Sequence, residues 1–348
     1  MDNSLPPVSA FLAPFSWIYS IALRWDRHSR SRKSVSLNHP VISIGNLTTG
    51  GTGKTPLIIK LAEDLLTLGI SPGILTRGYR GIGKKAVEQV ILRGDRPGDE
   101  LSDEVALMAR RLPTVAIGIG GNRIKSASAF EAIQKVDAFL LDDGFQHWPI
   151  RRDLDIVCLD CTDPWGGGRL LPWGRLREPI SNLSRAQCVV LTRGELISKE
   201  DLGKLKVKVG SLAPSAQMFC CSFETQFVDW DGRALEGLPK GGRFVALSAI
   251  GNPRAFEKAI EKWGPVTPLR YRDHHLYGLS DVERAAAMAA REGAIIVTTE
   301  KDFVKLKSFR WPAGSPRVAL IRPRFEPSDE ARWKQMIKAV ARRHEASV

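Results

Sequence analysis

The sequence predicts an α/β protein with a doubly wound, mostly parallel sheet, a second and smaller α/β domain, and an N-terminal amphipathic helix. Three observations predict it. Val41 to Ile44 reads as a buried strand running into a glycine-rich turn, Gly45 to Gly53, and then a helix patterned by Leu57, Ile58, Leu61, Leu65 and Leu66. Apolar runs without alternation, such as Ala138-Phe139-Leu140-Leu141, suit parallel strands covered by helices on both faces. After a stretch dense in Gly, Pro and polar residues, from about Lys204 to Gly242, the strand and helix alternation begins again.

Along the chain, the segment Val8 to Leu23 is apolar but interrupted by Pro14, without the basic start and small-residue cleavage site of a signal peptide. Phe15, Ile18, Ala22 and Trp25 fall at helical spacing with Trp17 and Ile21 beside them, and Arg24, Arg27, Arg30, Arg32 and Lys33 follow. Such a helix can lie in a bilayer interface or pack on its own domain. Gly50, Gly51, Thr52 and Gly53 then form a phosphate cradle with Lys54-Thr55, in which backbone N–H groups converge on a triphosphate, Lys54 reaches its terminal phosphates and Thr55 holds Mg²⁺. The strict P-loop pattern has Gly where this chain has Thr48; the strand-loop-helix setting restores the reading.

Strands are expected at 73–76, 89–92, 114–117, 138–141, 155–159 and 188–191, with helices at 103–111 and 123–133. In such sheets ligands sit at the carboxyl ends of the strands. A linker or small ribbon is expected over 213–241, between a P-loop domain (36–212) and a C-terminal α/β domain (242–348); residues 1–35 form the N-terminal helical part. The C-terminal domain should hold strands at 244–249, 294–298 and 318–321, and helices at 253–262, 282–291 and 332–343.

The whole chain has 348 residues, 43% hydrophobic, and a formal charge of +13 from 51 Lys and Arg against 38 Asp and Glu. That is enough apolar material for two cores, and it calls for an anionic partner. The cations cluster at the two ends without aromatic interleaving, so a nucleic-acid platform is not expected. No window reaches the roughly 18 apolar residues of a membrane span. Five cysteines fit a reducing compartment, and the lone Cys158 and Cys161 pair lacks the second pair of a zinc site.

Acids at the end of an apolar strand, here Asp142-Asp143, are what a Mg²⁺-dependent phosphate enzyme places beside its P-loop. Asp103-Glu104 open a helix, where they suit capping or chemistry. Asp273-His274-His275 suit proton handling, a metal or a hydrogen-bonded loop. Thr298 to Asp302 would present polar groups at a strand end.

Taken in order, these residues resemble the tetraacyldisaccharide 4'-kinase family over nearly the full length. The resemblance rests on Gly45-Asn46-Leu47-Thr48 leading into Gly50 to Pro56, Thr76-Arg77-Gly78-Tyr79, Asp103-Glu104 and Asp142-Asp143-Gly144-Phe145-Gln146-His147. It continues through Leu171-Pro172, Arg175-Leu176-Arg177-Glu178-Pro179, Gly251-Asn252-Pro253, Asp273-His274-His275 and Thr299-Glu300-Lys301-Asp302. The family tolerates Thr at the Thr48 position. The resemblance implies ATP and Mg²⁺ as cofactors and phosphorylation of the 4'-hydroxyl of an acylated disaccharide 1-phosphate in lipid A biosynthesis. It implies that Thr48, Gly50, Gly51, Thr52, Gly53, Lys54 and Thr55 hold the nucleotide, with Arg123 near the phosphates, and that Thr55, Asp142, Asp143 and Glu104 are metal-associated. Asp103 with His274 would activate the sugar hydroxyl after interdomain closure. Ser102 and Val105 depart from the family's Gly-Asp-Glu-Pro; a Gly98-Asp99-Glu100 triplet lies nearby, but Ala106 to Arg111 continue the helix in register from Asp103-Glu104.

A lipid acceptor gives the basic N-terminal helix a purpose, seating a monomeric cytoplasmic enzyme on the anionic inner face of the bacterial inner membrane. The rival readings are a P-loop switch ATPase or metallochaperone without a lipid acceptor, and a basic nucleic-acid-binding ATPase.

Overall fold

The computed structural model describes residues 13–78, 90–92, 101–131, 133, 135–312 and 314–342. Tyr79, the Gly98-Asp99-Glu100 triplet and the start of the Val8 to Leu23 segment lie outside them. In chain order the elements are α1 (Ala13–Ser31), β1 (Val41–Gly45), α2 (Lys54–Thr67), β2 (Pro72–Thr76), β3 (Val90–Leu92), α3 (Asp103–Arg111), β4 (Ala116–Ile119), α4 (Arg123–Glu131), β5 (Ala138–Asp142), β6 (Leu154–Asp160) and β7 (Cys188–Thr192). There follow α5 (Lys199–Leu212), β8 (Gln217–Val228), β9 (Ala234–Leu235), β10 (Phe244–Ser248), α6 (Pro253–Glu261), β11 (Val266–Arg270), α7 (Leu279–Glu292), β12 (Ile295–Thr299), α8 (Glu300–Leu306), β13 (Arg317–Phe325) and α9 (Pro327–Ala341).

All described strands belong to one 13-stranded sheet in the order β11-β10-β12-β13-β8-β7-β6-β1-β5-β2-β4-β3, with β9 on β8. Pairing is parallel except at β3–β4, β8–β9 and the long β8–β13 seam. The apolar runs are buried on both faces because alternate side chains enter different layers. Ile42 and Ile44 of β1 join a core with Leu57, Leu61 and Leu65 of α2, Met108 of α3 and Trp333 of α9, whereas Val41 joins Phe130 of α4 on the opposite face. Each fully buried Leu or Ile of this kind contributes roughly 1.5–3 kcal/mol.

Three expectations change. Over 213–241, where a linker or small ribbon was expected, Gln217–Val228 is a long strand paired to β7 on one side and antiparallel to β13 from Cys221 to Val228 on the other, so the two halves share one sheet. Its exposure is mixed along its length, which hid the strand pattern. Second, α9 packs on α2 of the P-loop half as well as on β13 of the C-terminal half: the Trp333 indole N–H donates to Asp64 at 2.8 Å, Lys60 pairs with Glu330 at 2.8 Å, and the Trp333 ring lies 5.0 Å from that of Phe325. Third, the polar stretch after β12 is the helix α8, capped by Thr299, whose hydroxyl accepts from the Asp302 N–H at 3.1 Å.

Candidate active site

The phosphate cradle follows from local geometry. Gly50 and Gly53 have φ of 116° and 87°, a left-handed backbone that only glycine adopts without strain. Gly53 caps α2 with no side-chain hydrogen bond and no acid occupies the first turn, so the opening N–H groups of that helix face outward as an anion site. The loop is braced from several sides. Asn46 donates to the Thr48 carbonyl at 2.6 Å and the Thr52 hydroxyl at 3.1 Å, and Thr192 donates to the Thr52 carbonyl at 3.0 Å. Arg175 donates to the Thr49 carbonyl at 2.8 Å, while Arg193 donates to the Gly51 carbonyl at 2.9 Å and pairs with Asp160. Thr48 and Thr52 are thereby buried, so their side chains shape the loop, whereas Gly50 and Gly51 are open to solvent.

The acidic pair stands at the end of β5, the strand beside β1. Asp143 takes φ 49° as the chain turns off the strand. Its Oδ1 lies 3.5 Å from Lys54 Nζ and its Oδ2 accepts from Arg177 at 2.6 Å. Burial works to raise the Asp143 carboxyl, but Lys54 and Arg177 outweigh it and hold the group below its ordinary range. Asp142 accepts from the Thr76 hydroxyl at 2.9 Å; burial first, and then the Asp143 charge, push its carboxyl up. Arg123, at the start of α4 and 5% exposed, is lowered by burial and offset by both aspartates. Asp143 Oδ1 is buried without a hydrogen-bond donor among the described residues, an oxygen of the type a hard cation takes. Among those residues no group of three or more His, Cys, Asp or Glu forms a closed metal site. Asp142 and Asp143 offer the one or two carboxylates that Mg²⁺ takes together with waters and substrate phosphates.

Asp103 opens α3, and α3 runs back from the start of β4, so its nine residues carry Asp103 about 13 Å toward the sheet edge that also bears the P-loop. His274, in a left-handed conformation with φ 63°, places Nδ1 3.1 Å from Asp103 Oδ2. The two residues are 171 positions apart and already meet in this structure, so the pair itself needs no closure. Lys305 of α8 reaches the same oxygen at 3.1 Å. Lys301 sits among Asp273 at 3.2 Å, Glu104 at 3.3 Å and Asp103 at 3.8 Å. Burial works to lower the Lys301 ammonium, yet these three acids raise it above its ordinary value. Glu104, expected with the metal, is held by Lys301 of α8 in the Asp103 cluster.

α1 is fixed to the segment that braces the cradle. Ser16 donates to the Leu170 carbonyl at 3.0 Å, and Tyr19 donates to the Arg177 carbonyl at 3.0 Å. Its aromatic side is turned away: Trp17 is 68% and Trp25 73% exposed, with Phe15, Ile18 and Ile21 also exposed. The apolar residues therefore do not serve packing on the chain's own core.

The sequence singled out Lys54, Thr55, Arg123, Asp142, Asp143, Asp103 and His274, and passed over Arg175, Arg177, Arg193, Lys301 and Lys305. Their contacts span long sequence separations; the only available signal for Arg175, Arg177 and Lys301 was their place inside the Arg-Leu-Arg-Glu-Pro and Thr-Glu-Lys-Asp stretches, and Arg193 and Lys305 stand outside both. Gln146 joins two such stretches, donating to the Asn46 carbonyl at 2.8 Å and to Glu178 at 2.7 Å.

Comparison with known proteins gives one direction. The profile of the LpxK family, tetraacyldisaccharide-1-P 4'-kinase, matches residues 8–342. A tetraacyldisaccharide 4'-kinase of Syntrophus aciditrophicus is 38% identical over 329 residues, 86% of this chain and 85% of that protein. One of Halothermothrix orenii is 36% identical over 284 residues, 76% of this chain and 73% of that protein. The crystal structure of LpxK from Aquifex aeolicus in complex with ATP superposes with a TM-score of 0.70 at 27% identity, covering 96% of this chain and 99% of that one.

Proposed function

Since the chain belongs to the tetraacyldisaccharide 4'-kinase family, we propose that it transfers the γ-phosphoryl group of ATP, with Mg²⁺, to the 4'-hydroxyl of a tetraacyldisaccharide 1-phosphate in lipid A biosynthesis. Phosphoryl transfer asks a protein mainly to position the partners and offset spreading charge. Gly50 to Gly53 and the first N–H groups of α2 hold the phosphates, and Lys54 and Arg123 offset their charge. Thr55, Asp142 and Asp143 hold Mg²⁺, which supplies charge neutralisation at the phosphate oxygens. Asp103 accepts the hydroxyl proton and His274 orients and assists it.

The observation that carries this reading is the Asp103–His274 contact at 3.1 Å, made between the P-loop half and residues far along the chain. A switch ATPase or metallochaperone has no use for such a pair. In this division of labour residues 36–212 hold the nucleotide, 242–348 supply His274 with its lysines, and α1 seats a monomer on the anionic inner face of the bacterial inner membrane. No described helix is long and apolar enough to cross a membrane, and the exposed aromatic side of α1 supports surface binding instead.

Incubation with labelled ATP and a lipid A precursor in detergent tests the reading. Label should pass to the lipid only when acceptor is present, and Asp103→Ala and His274→Ala should each slow transfer by roughly 10²–10⁴. Hydrolysis indifferent to the lipid would refute it.

A further inference from the structure

Oδ2 of Asp103 is crowded: His274 Nδ1 and Lys305 Nζ each lie 3.1 Å from it, and Lys301 Nζ lies 3.8 Å away. Every contact that Asp103's side chain makes among the described residues is to this one oxygen. Lys305 is not a loose surface lysine. It is 12% exposed, its ammonium lies 5.5 Å from the centroid of the Tyr277 ring, and it stands 3.6 Å from Asp302. Asp302 is itself fully buried and fixed, accepting from the Ala249 N–H at 3.1 Å and the Thr299 hydroxyl at 2.6 Å. The helix that carries Lys305 is clamped to α3 by Arg111, whose guanidinium meets both oxygens of Glu300 at 3.1 and 3.2 Å. An ammonium held by packing and clamped against the catalytic helix is placed to set the orientation of one carboxylate.

We propose that Lys305 is a positioning residue for phosphoryl transfer: with His274 it occupies Oδ2 of Asp103 and so presents Oδ1 to the sugar hydroxyl as the proton acceptor. The hydroxyl oxygen bonds to the γ-phosphorus as its proton passes to Oδ1, and the bond from that phosphorus to the bridging oxygen breaks, releasing ADP. Lys301, four residues earlier on the same helix face, holds Glu104 and Asp273 and keeps those two acids from competing for Lys305. The inference rests on Asp103 being the proton acceptor.

A double-mutant cycle on the full chain, read as kcat with lipid acceptor at saturating ATP, tests it. Lys305→Met should lower kcat about 10- to 100-fold, with the KM values for ATP and acceptor changed by less than about threefold. In an Asp103→Asn background the same change should add almost nothing, because the lysine acts only through that carboxylate. Lys305→Arg, which keeps a cation there, should recover most of the rate. Losses that multiply in the double variant would overturn the positioning role and leave Asp103 as base. Near wild-type turnover in Asp103→Asn alone would instead overturn the base assignment on which the inference stands.

Discussion

His147 shows what burial among cations does to a single side chain. Desolvation first, and then the charges of Arg123, Arg152, Arg30 and Arg77, push its imidazole down to about 3. The folded protein therefore holds this ring neutral where the unfolded chain, with a pKa near 6.5, already binds a proton. The unfolded state carries more protons between those two values, so stability falls as pH drops from about 6.5 toward 3, by up to about 1.4 kcal/mol per pH unit from this residue. His147→Gln should flatten the curve in that window, and urea unfolding of both proteins at several pH values checks it; parallel curves would show that the ring is not the group responsible. At this scale the sequence was most legible where chemistry is local. Lys54 follows its glycines directly and Asp142-Asp143 follow their strand, whereas Arg177 reaches Asp143 across 34 positions and Lys305 reaches Asp103 across 202, and no spacing rule encodes such contacts.

Elements were legible to the extent that one residue pattern dominated them. α3 was expected at 103–111 and is found there, because Asp103 and Glu104 open it and Arg110 and Arg111 close it, matching the helix dipole at both ends. α5 was missed because Gly203 and Gly210 interrupt it and its lysines leave only Leu205 and Val209 buried. α1 is the element whose purpose the structure sharpens. Ser16 and Tyr19 tie one side to the segment bearing Arg175 and Arg177, and the opposite side carries the exposed tryptophans. Each interfacial Trp transferred to a bilayer contributes on the order of 2 kcal/mol, so Trp17→Glu with Trp25→Glu should weaken sedimentation with anionic vesicles at least tenfold. ATP affinity should stay unchanged, since both side chains are turned to solvent. Equal loss of vesicle and nucleotide binding would instead mean that the helix is part of the fold.

For the whole molecule, the decisive feature is that one sheet runs through both halves and the chain's last helix returns to the first. Sequence reading separated an N-terminal from a C-terminal domain, because a polar stretch divides two strand and helix series; it had no means of seeing that β8 and β13 pair over eight positions or that α9 crosses back onto α2. Trp333 is the keystone of that return. It is fully buried, packs against Phe219 of β8 and Phe325 of β13 at ring separations of 5.8 and 5.0 Å, and donates to Asp64 of the P-loop helix. Trp333→Ala should cost about 3–5 kcal/mol, from the cavity together with the loss of a donor to a buried carboxylate. Because α2 carries Lys54 at its start, the loss should be felt at the cradle as well as at the C-terminus: denaturant unfolding should remain a single transition shifted to lower midpoint, with ATP protecting the whole chain in proportion to its binding. If the variant unfolded in two steps, the C-terminal half melting first while nucleotide binding persisted, the halves would be energetically separate and the shared sheet would not couple them.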